Sequence, residues 1–375
     1  MAKNILDEEF ERKKYIAWLN VIPHLSAKLK IHLVEEYGSA QAIYEADDST
    51  LIESEYVDLT ILSAINEARK KSPDQIYQSI LNDDIDIVSV EDSEYPVLLR
   101  EIPDKPYVLY YTGHLCVPTK PAVGIVGARM STNYGKQIAY ELGRSLGERG
   151  FNIVSGMALG IDSSSHKGAL DGSGFTTAVL GCGVNICYPP RNRKLYNDIR
   201  SRGVILSEYP PYTQALPAYF PLRNRIISGI SSVLAVTEAR IKSGSLITCN
   251  LAISYGRDVY ALPGRITDPL SNGTNHLISQ GALVLESVES LCQELEERFH
   301  ASGSNISKTS LSNIIECELT YEENQIYALI DYYAIHIDDI YSKSPIPEEK
   351  IQIVLECLKS KGKINEIFPD YYVRV

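Results

Sequence analysis

Residues 122–135 read AVGIVGARMSTNYG: an apolar run, Ala122–Gly127, that stops at a glycine and is followed by polar residues opening a helical pattern. A short apolar run bounded by a glycine turn and leading into an amphipathic stretch is the unit from which a parallel sheet is built. The unit recurs along the chain. Further strand candidates are Asn152–Gly156, Thr176–Gly181, Val204–Ser207, Ser232–Thr237 and Asp258–Pro263, with another at Ala282–Leu285. Near-continuous apolar strands alternating with helices predict an α/β core whose sheet is covered on both faces.

In such a sheet, ligands bind outside the carboxyl ends of the strands. The residues that follow each strand therefore matter most. They are Ala128-Arg129-Met130-Ser131-Thr132-Asn133, then Met157–Asp162 after Ser155 and Gly156, then Cys182-Gly183, and finally Glu238 to Ser245. Glycines admit close backbone approach, and amides at a helix start present donors to an anion. Arg129, Arg240 and Lys242 add positive charge at the same edge. Any one of these turns also serves as tight packing; several on one edge predict a phosphate-lined crevice.

The bland reading of each element stands beside that one. Asp162 reads as the N-cap of a helix through Leu170, and Ser243 and Ser245 also suit caps. Tyr209 and Tyr212, among Pro210, Pro211 and Pro217, read as loop packing. Arg223 and Arg225 flank Asn224 at a predicted helix start, where the dipole disfavours cations. Either an anion compensates them, or one arginine pairs with Glu208 or Glu238.

Several enzyme classes are excluded by pattern. The first turn lacks GxGxxG, and the second strand ends in Ser155-Gly156 where a dinucleotide site needs a carboxylate. There is no GxxxxGK[ST] loop and no GxSxG elbow, and Asp162 and His166 stand four apart on one helix. His166 is expected to pack against, or hydrogen-bond, the neighbouring loop. The seven cysteines form no CxxC pair, so neither a zinc site nor a secreted disulfide framework is expected.

The 375 residues suit two or three domains at ~100–200 residues each, and 44% hydrophobic with 22% charged is ordinary for a globular chain. The start, MAKNILDEEFERKKY, is too charged for a signal peptide, and no apolar run approaches the ~20 residues that span a bilayer. A reduced, cytoplasmic protein without membrane contact is the expectation. The net charge of −12 misleads, because it is unevenly distributed: −11 over residues 1–95, +4 over 96–300 and −5 over 301–375. Residues 120–270 alone carry +8, a basic centre able to hold a polyanion between acidic flanks.

Outside the core, Tyr15–Val21, Ser26–Tyr37 and Leu59–Lys71 show helical spacing. Residues 85–121 suit a strand-and-loop connector, and 301–318 are Ser- and Asn-rich like a linker. The tail reads as helices at Glu322–Tyr333, Ile337–Ser342 and Pro347–Ser360, then an extended end at Ile364–Val375.

Seven ordered stretches carry a resemblance: GARMSTNYG (127–135), SGMALGIDSSSHKGAL (155–170), TTAVLGCGVNICYP (176–189), SEYPP (207–211), FPLRNRIISGIS (220–231), SGSLITCNLAISYGRDVYALPG (243–264) and SNGTNHLISQGA (271–282). Together they resemble the DNA-processing protein A (DprA/Smf) family. The resemblance implies an extended Rossmann-like core with a parallel sheet over 85–300, a small helical SAM-like or helix-hairpin-helix-like domain over 1–84, and a winged-helix domain over 319–375. It also implies single-stranded DNA as ligand, protection of incoming DNA in natural transformation, loading of RecA recombinase, a homodimer, and neither catalysis nor a cofactor.

Carried over by motif, Arg129 stands at a phosphate-contacting arginine. Ser155 and Gly156 lie at the second loop. Arg223, Asn224 and Arg225 match an RNR motif, with Phe220 placed to stack on a base. Lys242, Ser243, Gly244 and Ser245 match a basic-SGS loop that receives the strand. Ala128 departs from the family's hydroxyl residue, and Thr237 from an apolar one. On this reading, Arg223→Ala with Lys242→Ala weakens single-strand binding and leaves the fold intact.

Both outer domains are expected to contact protein rather than DNA. Ile22–Ser26 lacks hairpin glycines, and Lys350 and Lys359 are outnumbered by Glu348, Glu349 and Glu356. The alternative function is a nucleotide phosphoribohydrolase of similar build. That chemistry needs a glutamate after a PGGxGT turn, and Lys242 to Asn250 contains no carboxylate.

Overall fold

The computed structural model describes residues 2–115, 120–303, 320–330, 335–344, 346–361, 363–368 and 371–374. The chain divides into two compact units, residues 1–304 and 305–375.

The first unit opens with α1 (Ala2–Asn20), α2 (Ala27–Tyr37), α3 (Ala40–Glu45), α4 (Asp48–Glu53), α5 (Leu59–Arg69) and α6 (Pro73–Leu81). Five of these starts are set by short polar side chains. Ser26, Ser39, Asp47, Asp58 and Ser72 each accept the backbone N–H three residues on, satisfying a donor that the first turn leaves free. Helix α1 begins far ahead of the predicted Tyr15, because its charged half is laced by Lys13–Glu9 and Lys14–Glu11 pairs. Its other face buries Ile16, Trp18 and Leu19. The helices are tied to the sheet edge by Lys13 on Asp86 (2.9 Å) and Arg12 on Asp92.

The core continues through β1 (Asp86–Ser89), α7 (Val97–Arg100), β2 (Val108–Gly113), β3 (Ala122–Val126), α8 (Asn133–Glu148), β4 (Asn152–Ser155), α9 (Ile161–Asp171) and β5 (Thr176–Val179). After a 3-10 turn at Pro190–Asn192 come α10 (Arg193–Arg202), β6 (Val204–Ser207), α11 (Tyr219–Ile230), β7 (Val233–Val236), α12 (Gly244–Ser254), β8 (Asp258–Ala261), α13 (Asn272–Ser279), β9 (Leu283–Val284) and α14 (Val288–Gly303). The sheet order is β1-β2-β6-β5-β4-β3-β7-β8-β9. It is parallel from β6 through β9, with β2 antiparallel on β6 and β1 on β2. Alternate strand residues feed opposite faces. Val123, Ile125, Ile153 and Ala235 pack with Ala139, Leu142 and Leu146 of α8; Val126, Val154, Val179 and Leu234 pack with Ile226, Ile227 and Ile230 of α11.

The strands stop one to two residues short of several predicted ends, at the glycines and at Pro263, where the backbone turns toward the loops. The last is two residues rather than four. The segment 301–303 continues α14 instead of beginning a linker, and 304–318 lies outside the described residues.

The second unit holds α15 (Tyr321–Leu329), β10 (Ile335–His336), α16 (Ile337–Lys343), α17 (Glu348–Ser360), β11 (Ile364–Phe368) and β12 (Tyr371–Arg374). Its strands form an antiparallel sheet in the order β10-β12-β11. A Thr320–Glu323 capping box starts α15, and Ile326, Ile340, Ile351, Leu355, Leu358 and Ile364 form the core. The first helix ends at Leu329, before the predicted Tyr333; residues 331–333 lie outside the described residues. Among the described residues, no helix is long and apolar enough to cross a membrane.

Candidate nucleic-acid interface

Strand order reverses between β3 and β7, and the loops leaving those two strands open a crevice of 550 Å³. Gly127 to Met130 and Arg240 form one side, Ala158 and Asp162 the floor, and Tyr188, Phe220, Asn224 and Ser243–Ser245 the rest. The two principal loops are stitched together by the Ala128 N–H, which donates to the Glu238 carbonyl (2.8 Å). The Glu238 side chain is buried and turns the other way, to the start of α8. Its carboxylate accepts the Thr132 N–H (2.8 Å) and the Thr132 hydroxyl, whose oxygen in turn accepts the Gly135 N–H (3.0 Å). A Cβ at Gly135 would collide with that carboxylate, so the close approach requires glycine.

On the crevice side, Arg129 is exposed, with its guanidinium 5.3 Å from the centre of the Phe220 ring. Phe220 is half-buried and lies 5.4 Å from the exposed Tyr188 ring. Arg129 and Arg240 make no ion pair and no hydrogen bond among the described residues, so both are open to an external anion. Aromatic faces beside unpaired guanidiniums are the parts from which single-strand sites are made: rings take bases, and cations take phosphates.

Several residues expected to contact the ligand turn inward. Arg223 is 5% exposed, and its guanidinium donates to the carbonyls of Gly156 (2.8 Å) and Val179. It lies five residues into α11, where Nη1 ties it to the ends of β4 and β5 while the side chain lines the crevice floor beside Asp162. Gly156 is glycine because a Cβ there would strike the Arg223 guanidinium. The Ser155 hydroxyl is fully buried and donates to the Ile125 carbonyl (2.6 Å). Arg225 pairs with Glu208 (2.7 Å) and donates to the Asp104 carbonyl (2.8 Å), so its charge is already met.

Asn224 sits at the crevice wall, donating to the Gly244 carbonyl (3.2 Å), and the hydroxyls of Ser243 and Ser245 bond one another (2.8 Å). Lys242 is exposed but lines the adjoining groove with Ile247 and His276 instead of the crevice.

Asp162 is not the N-cap. Gly160 holds that position, and Asp162, the second residue of the helix, accepts the Ala158 N–H (3.3 Å). Burial pushes its carboxyl up from the ordinary range, opposed by the nearby Arg223, while burial pushes Arg223 down. His166 is wholly buried. Its Nδ1 faces the Thr176 hydroxyl (2.7 Å), which itself donates to Ile153 O (2.7 Å), so Nδ1 carries the proton and donates. Burial, reinforced by Arg223, pushes the imidazole down to about 3. Tyr209 packs its loop onto the start of α11, stacked on Tyr219 at 4.2 Å.

Tyr188 and Met130 were not among the expected contacts, although both line the crevice and Met130 is 86% exposed. The only local cue was an aromatic residue in the proline-rich turn Tyr188-Pro189-Pro190.

Fold and crevice together define a class: a Rossmann-like α/β protein whose switch-point crevice carries free arginines and aromatic rings. Within that class, residues 86–296 match the DNA recombination-mediator protein A family, and the chain belongs to it. It is 43% identical over 208 residues to the DNA processing protein DprA of Streptococcus pneumoniae, covering 56% of this chain and 73% of that one. It is 37% identical over 290 residues to Protein Smf of Synechocystis, covering 76% and 73%. The crystal structure of the Streptococcus pneumoniae protein superposes with a TM-score of 0.66 at 34% identity, covering 75% of this chain and 97% of that one. A DNA processing protein A of Helicobacter pylori, described for its single-stranded DNA binding mode, superposes at 0.52 with 32% identity, covering 56% and 96%.

Proposed function

We propose that this chain is a recombination mediator that holds single-stranded DNA in the β3–β7 crevice without breaking any bond in it. The observation that carries the reading is Arg129: an unpaired, exposed guanidinium held over Phe220, beside Tyr188. Phosphates meet Arg129 and Arg240, and a base lies against the ring pair; Asn224 and the Ser243–Ser245 loop close the far wall. The single-strand binding described for the Helicobacter pylori relative supports this assignment.

The held strand is protected and passed to a RecA-type recombinase, with the protein acting as a cytoplasmic homodimer in natural transformation. The order of helices and strands in residues 320–374 supports a winged helix. Its α17 face carries Lys350 paired to Glu322 and Lys359 paired to Glu356 and Glu366, which suits a protein partner better than duplex DNA.

The test is fluorescence polarisation of labelled single strand and duplex across a salt series, alongside an assay for free base released from nucleotides. Tight, salt-weakened binding of the single strand with no base release is the expected result. Failure to bind in dilute buffer overturns the proposal, and base release would establish the phosphoribohydrolase alternative.

A further inference from the structure

Beyond the crevice, α9 and the Pro190–Asn192 turn with α10 enclose a second groove of 300 Å³. Lys167, Arg191, Lys194 and Arg202 line it, against Asp171 and Asp198. Lys167, Arg191 and Lys194 are exposed and make neither an ion pair nor a side-chain hydrogen bond among the described residues. Arg202 spends one donor on the Leu170 carbonyl (3.0 Å), and Asp171 accepts the Tyr140 hydroxyl (2.9 Å). Elsewhere in this acidic protein, cations such as Lys13, Lys14, Arg149 and Arg225 are matched by carboxylates. Here three neighbouring cations are left unmatched. The apolar lining, Leu170 and Leu195, is buried, so the groove presents charge and little else.

The groove and the crevice draw on the same elements, α9 and the Tyr188–Asn192 turn. Tyr188 lines the crevice and Arg191 the groove, three residues apart, a stretch of at most ~10 Å. Asn192, buried between them, donates to the Met157 carbonyl (2.8 Å) and so pins the turn to the loop whose next residue, Ala158, faces the crevice. On α9, Asp162 faces the crevice and Lys167 the groove.

We propose that the second groove takes phosphates of the same polynucleotide strand. The strand leaves the Tyr188–Phe220 rings, crosses the Pro189–Pro190 turn and lies along Lys167, Arg191 and Lys194. This rests on the reading of the crevice as a single-strand site. Continuity with that crevice and a lining of spaced, solvated cations suit a flexible phosphate chain, whose binding gains from counterion release at each contact.

The test compares the parent protein with the triple variant Lys167→Gln/Arg191→Gln/Lys194→Gln, using single strands of about 5 and about 20 nucleotides across a salt series. For three lost contacts, the slope of log affinity against log salt flattens by about 2 on the long strand, an affinity loss of about a hundredfold at 0.1 M salt. The short strand, which fills only the crevice, binds the variant as it binds the parent. Unchanged affinity and slope on the long strand would overturn the groove while leaving the crevice standing. Equal losses on both strands would overturn it too, since the cations would then act on the crevice at a distance. A parent that binds neither strand removes both readings.

Discussion

Glu238, two residues past β7, holds Thr132 at the start of α8 by two hydrogen bonds to one carboxylate, the N–H at 2.8 Å and the hydroxyl beside it. In dinucleotide-binding proteins of this build, the helix after the first strand points its N-terminus at a pyrophosphate. In this protein a side chain of the chain itself supplies the negative charge. The positions open to an external phosphate are displaced outward, to Arg129 and Arg240 at the rim.

Glu238→Ala is therefore expected to destabilise the fold by about 2–3 kcal/mol, since it strips a buried, charge-assisted acceptor from two donors. Glu238→Gln keeps one acceptor and should recover roughly half of that loss. Urea unfolding of the two variants measures the difference; equal midpoints for Glu238→Ala and the parent would contradict the role.

Arg223→Ala is expected to cost about 3 kcal/mol, because the Gly156 and Val179 carbonyls lose their donor in a buried setting. Arg223→Lys does not restore it, as one ammonium cannot reproduce the planar fork. Any loss of DNA affinity in Arg223→Ala would thus accompany a lowered unfolding midpoint, so pairing it with Lys242→Ala does not give a fold-neutral probe of the crevice.

Arg129 and Phe220 separate charge from stacking. Arg129→Gln should flatten the salt dependence of single-strand binding by about 0.7 in log–log slope. Phe220→Ala should weaken binding by about 1–3 kcal/mol and leave the slope unaltered. Polarisation titrations at several salt concentrations read both quantities, and a slope change in Phe220→Ala would refute the assignment.

His166 makes stability depend on acid. The imidazole is neutral in the fold down to about pH 3, whereas in the unfolded chain it takes a proton below its ordinary value of 6.5. Between those limits the unfolded state binds one more proton, so stability falls as pH falls, by about 1.4 kcal/mol per pH unit for this group. Above that window the contribution is constant. His166→Asn removes it, and urea midpoints at pH 7 and pH 5 should fall less steeply in the variant than in the parent.

Much of the architecture is readable in residue order. Ala122–Val126 and Val233–Val236 are apolar over their whole length and the other parallel strands over half or more of theirs, which is a local property, and each lies within a residue or two of where the pattern placed it. The same holds for Ser26, whose hydroxyl caps α2 within three residues. Less accessible were the short helices α3 and α4, whose few apolar positions define no clear period; α6, with Ile76, Tyr77, Ile80 and Leu81 at helical spacing behind Ser72 and Pro73, carries a legible signal. The placement of β1 and β2 as antiparallel strands on one sheet edge was equally hidden, because pairing partners are far apart in sequence.

What residue order determined by itself was the alternation of strand and helix, the edge at which the loops gather, and the concentration of positive charge in the middle of the chain. Which of those charges face water was decided only by the folded structure. Arg129 and Arg223 both sit in motif positions that read as phosphate contacts, yet one lies open over Phe220 and the other is built into the crevice floor, 5% exposed and tied to two carbonyls. Their fates differ because a side chain's direction is set by what packs around its helix or loop. The carbonyl ends of β4 and β5, which capture Arg223, come together only when distant strands are laid side by side.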